Sequence, residues 1–152
     1  MEAHRLVKAR HAASALDGEG ARRVGGRWNP AGVPVAYCAA SLSLSVLEML
    51  VQVDPGELPD DLLALRLEWP ADLPATRFRP EALPRNWRTE AGRPALQALG
   101  AAWIKGGETA VLLVPSVVIP SETNILINPA HGDAASIRVT TREAFSLAPR
   151  LR

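Results

Sequence analysis

The stretch GGRWNPAGVPVAYCAASLSLSVLEML, residues 25–50, contains the signals of a loop, a strand and a helix in succession. Its paired glycines and Asn-Pro step are residue types of turns and loops. Val33 to Cys38 is an apolar run of strand length. Ser41 has the residue type of a helix cap, and the body that follows, LSLSVLEMLV, is apolar nearly all round. The stretch therefore predicts a strand and a buried helix that pack in the core.

The segments on either side of this stretch predict further strands and helices. Arg5 to Ala9 has the pattern of a first strand, and Ala12 to Ala21 that of a short helix. Leu63 to Leu67 alternates apolar and polar residues, as a strand with one wet face does. Pro94 opens a second long helix that ends at a pair of glycines. Three more strands are predicted at Ala110–Val114, Asn124–Ile127 and Ser136–Val139.

Two proline-rich segments interrupt this pattern. Asp54 to Asp61 breaks the chain, and four prolines between Pro70 and Pro84 exclude a long helix there. Neither flank of the second segment is large enough to fold alone, so it is an internal loop and not a linker between domains. We therefore expect a single domain over residues 1–152. Its class is α+β, because strands dominate both ends and helices lie between them.

The composition limits the classes of partner. The 152 residues are 47% hydrophobic and carry a net charge of +1, and the cations are scattered, so we expect no direct binding of nucleic acid. The apolar runs are too short to span a bilayer, and the first residues lack an export signal. The lone Cys38 excludes an intramolecular disulfide. A cytoplasmic protein without membrane contact is expected.

Glu48 is the only charged residue between Ala39 and Val53. An ionised carboxylate on an apolar helix must be hydrogen-bonded or line a cavity, because its burial without partners is costly. Glu48 therefore predicts a pocket carboxylate. The alternative is a helix edge that reaches solvent.

Arg27 lies in the glycine-rich loop beside Trp28. Glycines let the backbone approach a ligand closely, a guanidinium suits a phosphate, and Trp28 offers a flat apolar wall. Arg27 is equally compatible with a structural residue tied to loop carbonyls. Tyr37 ends the strand before the Glu48 helix, so both side chains are expected to face one cavity. The alternative for Tyr37 is a core aromatic whose hydroxyl has a partner.

Polar side chains are dense among the apolar residues of VPSVVIPSETNILINPAH, residues 114–131, and predict the rim of a site. Ser116, Asn124 and Asn128 are the candidates. Ser116 lacks the G-x-S-x-G turn of a Ser-His-Asp hydrolase, so it is not expected to be a nucleophile. His131 is expected to be a capping or loop residue. The histidines and the cysteine lack the spacing of a metal site, so no metal is expected.

Residues 25–50 and 114–131 together resemble the RES-domain family, which is named for an Arg, a Glu and a Ser. The resemblance covers almost the whole chain and depends on an ordered set of motifs. These are Gly-Arg-Trp-Asn, a Tyr at the end of a strand, a helix that contains Glu, then Pro-Ser and Asn-x-x-x-Asn-Pro-x-His. Pro70 to Arg93 cannot be aligned. The family's residues fall on Arg27, Glu48, Ser116 and Tyr37.

The resemblance implies an ADP-ribosyltransferase-like fold and a toxin whose substrate is NAD⁺. It also implies a partner, an Xre-type helix-turn-helix antitoxin, with a homodimer inside that complex left open. In this interpretation Glu48 stabilises the oxocarbenium-like ribose, Arg27 holds the pyrophosphate, and Ser116 fixes the ribose or Glu48. Ligand contacts are expected from Arg27, Trp28, Tyr37, Asn124 and Asn128.

The acceptor of the ribosyl group stays open at this point. Water would give hydrolysis of NAD⁺, phosphate would give phosphorolysis, and a protein side chain would give ADP-ribosylation. A catalytically silent nucleotide-binding module is the alternative from another class, and a DNA-binding regulator is disfavoured by the even charge.

Overall fold

A seven-stranded mixed sheet forms the centre of the computed structural model, which describes residues 1–54 and 56–152. The strands are β1 (Glu2–Lys8), β2 (Ala36–Ala39), β3 (Leu62–Glu68), β4 (Ala75–Arg77), β5 (Val111–Pro115), β6 (Thr123–Ile127) and β7 (Arg138–Phe145). Their order in space is β4-β5-β6-β2-β1-β3-β7. Neighbours run antiparallel except β4 and β5, which are parallel. The α+β prediction is confirmed.

The α-helices are α1 (Glu19–Val24), α2 (Leu42–Leu50) and α3 (Arg93–Gly106). Short 3-10 helices cover Ala9–Ser14, Pro80–Ala82, Gly132–Ser136 and Pro149–Leu151. Within the described residues, none of the helices has both the length and the apolar character that crossing a bilayer requires.

The sheet has an apolar core on each of its faces because side chains alternate along a strand. On one face Ala3, Cys38 and Leu67 are buried together. On the other, Leu126 is buried against α3, and we call this the helix face. Register pairs place Tyr37 opposite Leu126 and Ala39 opposite Asn124. Tyr37 and Asn124 therefore lie on the helix face.

Helix α2 begins as predicted, with the Ser41 hydroxyl accepting a hydrogen bond of 3.1 Å from the Leu44 amide. Leu44 and Ser45 are its buried residues, and Ser45 donates to the carbonyl of His4 in β1. Leu47, in contrast, is 38% exposed. The helix therefore packs on the sheet with one side, and the prediction of a buried helix applies to that side only.

Helix α3 also follows its prediction, from Pro94 in the first turn to Gly107, which ends the helix in the left-handed region at φ 63°. Its most constrained residue is Gly100. A Cβ there would lie 1.7 Å from the carbonyl oxygen of Trp28. The absence of a side chain at Gly100 thus lets α3 pack directly against the loop that carries Arg27.

Other predicted elements require correction. The helix over Ala12 to Ala21 is wrong, because Gly18 at φ 71° separates a 3-10 helix from α1. Strand β4 forms inside the segment that was expected to be irregular, since it pairs with β5. Strand β7 begins at Arg138 and continues well past Val139, because it pairs with β3 on both sides of a register shift at Thr140. The predicted break after Asp54 includes Pro55, which lies outside the described residues.

Candidate active site

The Glu48 carboxylate is the meeting point of α2, β6 and the end of β5. Its Oε1 accepts hydrogen bonds from the Ser116 hydroxyl at 2.7 Å and from Nδ2 of Asn124 at 2.6 Å. Glu48 is half-buried and Ser116 is fully buried. The carboxylate therefore has the partners that its partial burial requires, and they hold it at one oxygen.

Ser116 is fixed from two sides. Its oxygen accepts from the amides of Val118 and Ile119, at 3.1 and 3.0 Å, so the hydroxyl proton is directed to Glu48. Ser116 therefore orients the carboxylate and is not placed as a nucleophile. Among the described residues no hydrogen bond reaches Oε2 of Glu48, and that oxygen can accept from a ligand.

Asn124 has one unused polar atom. A carboxylate oxygen can only accept, so the amide nitrogen of Asn124 must face Glu48. The amide oxygen, Oδ1, is then buried without a donor among the described residues. Such an acceptor is costly to leave unpaired, and an N–H or O–H group of a ligand would satisfy it.

Arg27 is engaged with the loop before α3. Its Nη1 donates to the carbonyl of Thr89 at 3.0 Å, and its Nη2 contacts Oε1 of Glu90 at 3.1 Å. Glu90 also faces Arg93, whose Nη1 lies 3.5 Å from Oε2. No hydrogen bond in the described part of the chain joins Arg27 to Glu48. The structure thus forms two polar clusters, one around Glu48 and one around Glu90.

Tyr37 connects the helix face to the glycine-rich loop. Its hydroxyl donates to Oδ1 of Asn29 at 2.6 Å and accepts from the Trp28 amide at 3.0 Å. Burial raises the pKa of Tyr37 far above its usual range, against smaller lowering by the hydrogen bond from the Trp28 amide and by the charges of Arg93 and Arg27, so the hydroxyl stays protonated. Tyr37 is also the diagonal neighbour of Asn124 across β2 and β6, at roughly 7 Å.

Trp28 and Asn128 lie in structural positions. Trp28 is 2% exposed and packs in the core with Phe78, at 5.9 Å between ring centroids, so its ring does not form the expected flat wall. Asn128 follows the opposite end of β6 from Asn124, and its Oδ1 accepts from Ala130 in a turn. His131 accepts from the Asp133 amide and caps a 3-10 helix, as predicted.

Asn29 is a structural residue whose importance the sequence analysis missed. It is 0% exposed, and its amide nitrogen donates to the carbonyls of Ala21, Pro30 and Val33, at 2.9, 3.2 and 2.8 Å. Together with the Tyr37 contact, these bonds fix the loop that positions Arg27. The available signal was the Asn-Pro step within a glycine-rich loop.

Comparisons with known proteins agree on one family. The family model described as the RES domain matches residues 2–148. The chain is 41% identical to the Prs ADP-ribosylating toxin of Sphingobium sp. strain YBL2 over 90% of this chain and 86% of that protein. It is 34% identical to Toxin Res of Yersinia enterocolitica over 100% of both.

A solved structure has the same fold. The Mycobacterium tuberculosis MbcT–MbcA toxin–antitoxin complex contains a chain that superposes with a TM-score of 0.78 at 21% identity. The match covers 95% of this chain and 84% of that one. At this identity the likeness concerns the fold alone.

Proposed function

The chain belongs to the RES domain family, and from that premise we propose that it is the toxin of a toxin–antitoxin pair and cleaves the nicotinamide–ribose bond of NAD⁺. Relatives named as Res toxins and as an ADP-ribosylating toxin support this class. The observation that carries the chemistry is the half-buried Glu48 carboxylate, which two side chains orient at one oxygen and whose other oxygen has no hydrogen bond from the described residues.

Glu48 supplies the charge that this reaction needs. Departure of nicotinamide leaves the ribose ring with oxocarbenium-like positive charge. Oε2 of Glu48 accepts a ribose hydroxyl and faces that charge, while Ser116 and Asn124 keep Oε1 in place. Because the carboxylate is already oriented, little reorganisation is needed as the charge develops.

The remaining residues bind and position the substrate. Asn124 offers its unpaired Oδ1 to a donor on the ribose or the carboxamide. Tyr37, on the same face of the sheet, lies beside the nicotinamide. Arg27 holds the pyrophosphate through its planar fork. In this proposal Ser116 is a positioning residue, because its contacts end on Glu48 and on backbone amides.

The acceptor defines two candidate activities. The first is consumption of NAD⁺ by hydrolysis or phosphorolysis, with water or inorganic phosphate attacking the ribose. The second is transfer of ADP-ribose to a cellular protein, and the name of the relative at 41% identity favours it. Both use the same carboxylate, so they differ only in what reaches the ribose.

The test is to incubate the purified protein with NAD⁺ alone, with inorganic phosphate, and with a bacterial protein extract. Nicotinamide release supports cleavage, and the second product identifies the acceptor: ADP-ribose for water, ADP-ribose phosphate for phosphate, or a labelled protein for transfer. Binding of NAD⁺ with no nicotinamide release under any condition would contradict the proposal and identify a silent binding module.

We also propose an antitoxin partner of the Xre helix-turn-helix type. The solved neighbour is a toxin–antitoxin complex, which supports a partner of this general kind. An enzyme that consumes NAD⁺ needs such control inside its own cell.

A further inference from the structure

The carboxylate of Glu90 lies between two guanidinium groups. Its Oε1 is 3.1 Å from Nη2 of Arg27, and its Oε2 is 3.5 Å from Nη1 of Arg93. Each oxygen of one anion is thus matched to a different cation. Two guanidiniums at this spacing also suit a phosphate or diphosphate, whose oxygens accept the same planar donors.

The two arginines are held by folded elements. Arg93 begins α3, and its Nε donates to the carbonyl of Gly26 at 3.4 Å. Gln97, one turn later, donates to the same carbonyl at 2.9 Å. These bonds join the start of α3 to the loop of Arg27 without involving Glu90, and the Arg27 guanidinium also keeps the Thr89 carbonyl as a partner.

Glu90 itself is weakly held. Its side chain is 75% exposed, whereas those of Arg27 and Arg93 are 23% and 36% exposed. Solvent screens an ion pair of this kind, so it contributes little to stability and is easily displaced. A ligand with more negative charge than one carboxylate would therefore replace it.

Both arginines also lie near Tyr37. Arg93 donates to the carbonyl of Gly26, the residue before Arg27, and a Cβ at Gly26 would lie 2.7 Å from the Tyr37 hydroxyl oxygen. Tyr37 is the diagonal neighbour of Asn124, which binds Glu48. A diphosphate between the arginines would thus lie on the same side of the sheet as the carboxylate.

We propose that Arg27 and Arg93 form a clamp for a diphosphate, and that Glu90 occupies this clamp in the free protein as a displaceable internal anion. The assignment of the diphosphate to NAD⁺ rests on the proposed function. The existence of the clamp does not depend on the proposed function, since the clamp would bind the diphosphate of any ADP-ribosyl compound. Glu90 then lowers the affinity for substrate, and Arg93 is a second anion-binding residue beside Arg27.

The test is the affinity of the full chain for ADP-ribose, measured by titration calorimetry. ADP-ribose carries the diphosphate but lacks the nicotinamide bond, so it is not cleaved there. Arg93→Gln should weaken binding about tenfold through loss of a charge-assisted contact. Its matched control is Arg85→Gln, an exposed arginine of the same loop, which should change affinity less than about twofold, as a screened charge does.

Glu90→Gln should have the opposite effect and tighten ADP-ribose binding by about threefold to tenfold, because the competing carboxylate is gone. The control with the same change of charge is Glu81→Gln, which is exposed in the 3-10 helix before this loop, and the affinity of that variant for ADP-ribose should stay close to that of the parent. This pair remains informative if Arg93→Gln does not fold, because the Glu90 side chain is 75% exposed and its replacement should not disturb the fold.

The outcomes separate the clamp from the proposed function. The clamp would be overturned if the Glu90→Gln and Glu81→Gln variants bound ADP-ribose with equal affinity. It would also be overturned if neither the parent nor Glu90→Gln bound ADP-ribose. Normal release of nicotinamide alongside that result would leave the proposed function intact. The expected pattern of affinities without any cleavage of NAD⁺ would instead support the clamp and remove the proposed function.

Discussion

The cluster around Glu48 and the cluster around Glu90 both centre on a carboxylate, yet they differ in how firmly it is held. Glu48 is half-buried and bonded to side chains on β6 and at the end of β5. Glu90 is mostly exposed, in a loop, between two arginines. The first carboxylate is built into regular structure and the second is exchangeable. This is the division expected between a group that performs chemistry and one that is displaced on binding.

The largest effect should come from Glu48→Gln, which keeps the shape of the side chain and removes its charge. We expect the rate of nicotinamide release from NAD⁺ to fall by about 10²-fold or more, as when electrostatic stabilisation of a transition state is lost. The control is Glu143→Gln on β7, an exposed carboxylate at the edge of the sheet, which should keep the parent rate. A folded Glu48→Gln protein with full turnover would remove Glu48 from the mechanism.

The next test breaks the support of the Arg27 loop. Gly100→Ala places a Cβ 1.7 Å from the carbonyl oxygen of Trp28, so helix and loop must separate. We expect the free energy of unfolding to fall by roughly 1–3 kcal/mol, the usual cost of overpacking, measured by chemical denaturation. Gly106→Ala in the same helix has nothing within 4 Å and should not be destabilised. Equal stability of the two variants would show that this close approach is not needed.

A smaller effect is expected at Arg27. Arg27→Lys keeps the charge but loses the planar fork, so it should not restore the substrate affinity lost in Arg27→Ala. We expect both variants to raise KM for NAD⁺ by roughly tenfold with less change in kcat, the pattern of lost uniform binding. Steady-state kinetics measure this. If the lysine variant keeps the parent KM, Arg27 serves only the loop contact with Thr89.

The elements that followed from sequence are those with local signals. The cap at Ser41, the place of Pro94 in the first turn of α3 and the end of that helix at Gly107 depend on residues within one helical turn, and all are confirmed. Glu48 was identifiable because a charge on an apolar helix needs partners. The same reasoning did not extend to Trp28, since an aromatic residue in a loop is compatible with a core position as well as with a ligand.

The amino-acid sequence by itself determined the α+β class, most helices and strands, and the unusual carboxylate at Glu48. Only the tertiary structure decided which groups meet it: Ser116 is 68 residues away along the chain and Asn124 is 76. It also decided that Arg27 faces Glu90, which lies 63 residues away. Propensities and caps act over a few neighbouring residues, whereas these contacts depend on the order of strands in the sheet and on the packing of α3 against a distant loop.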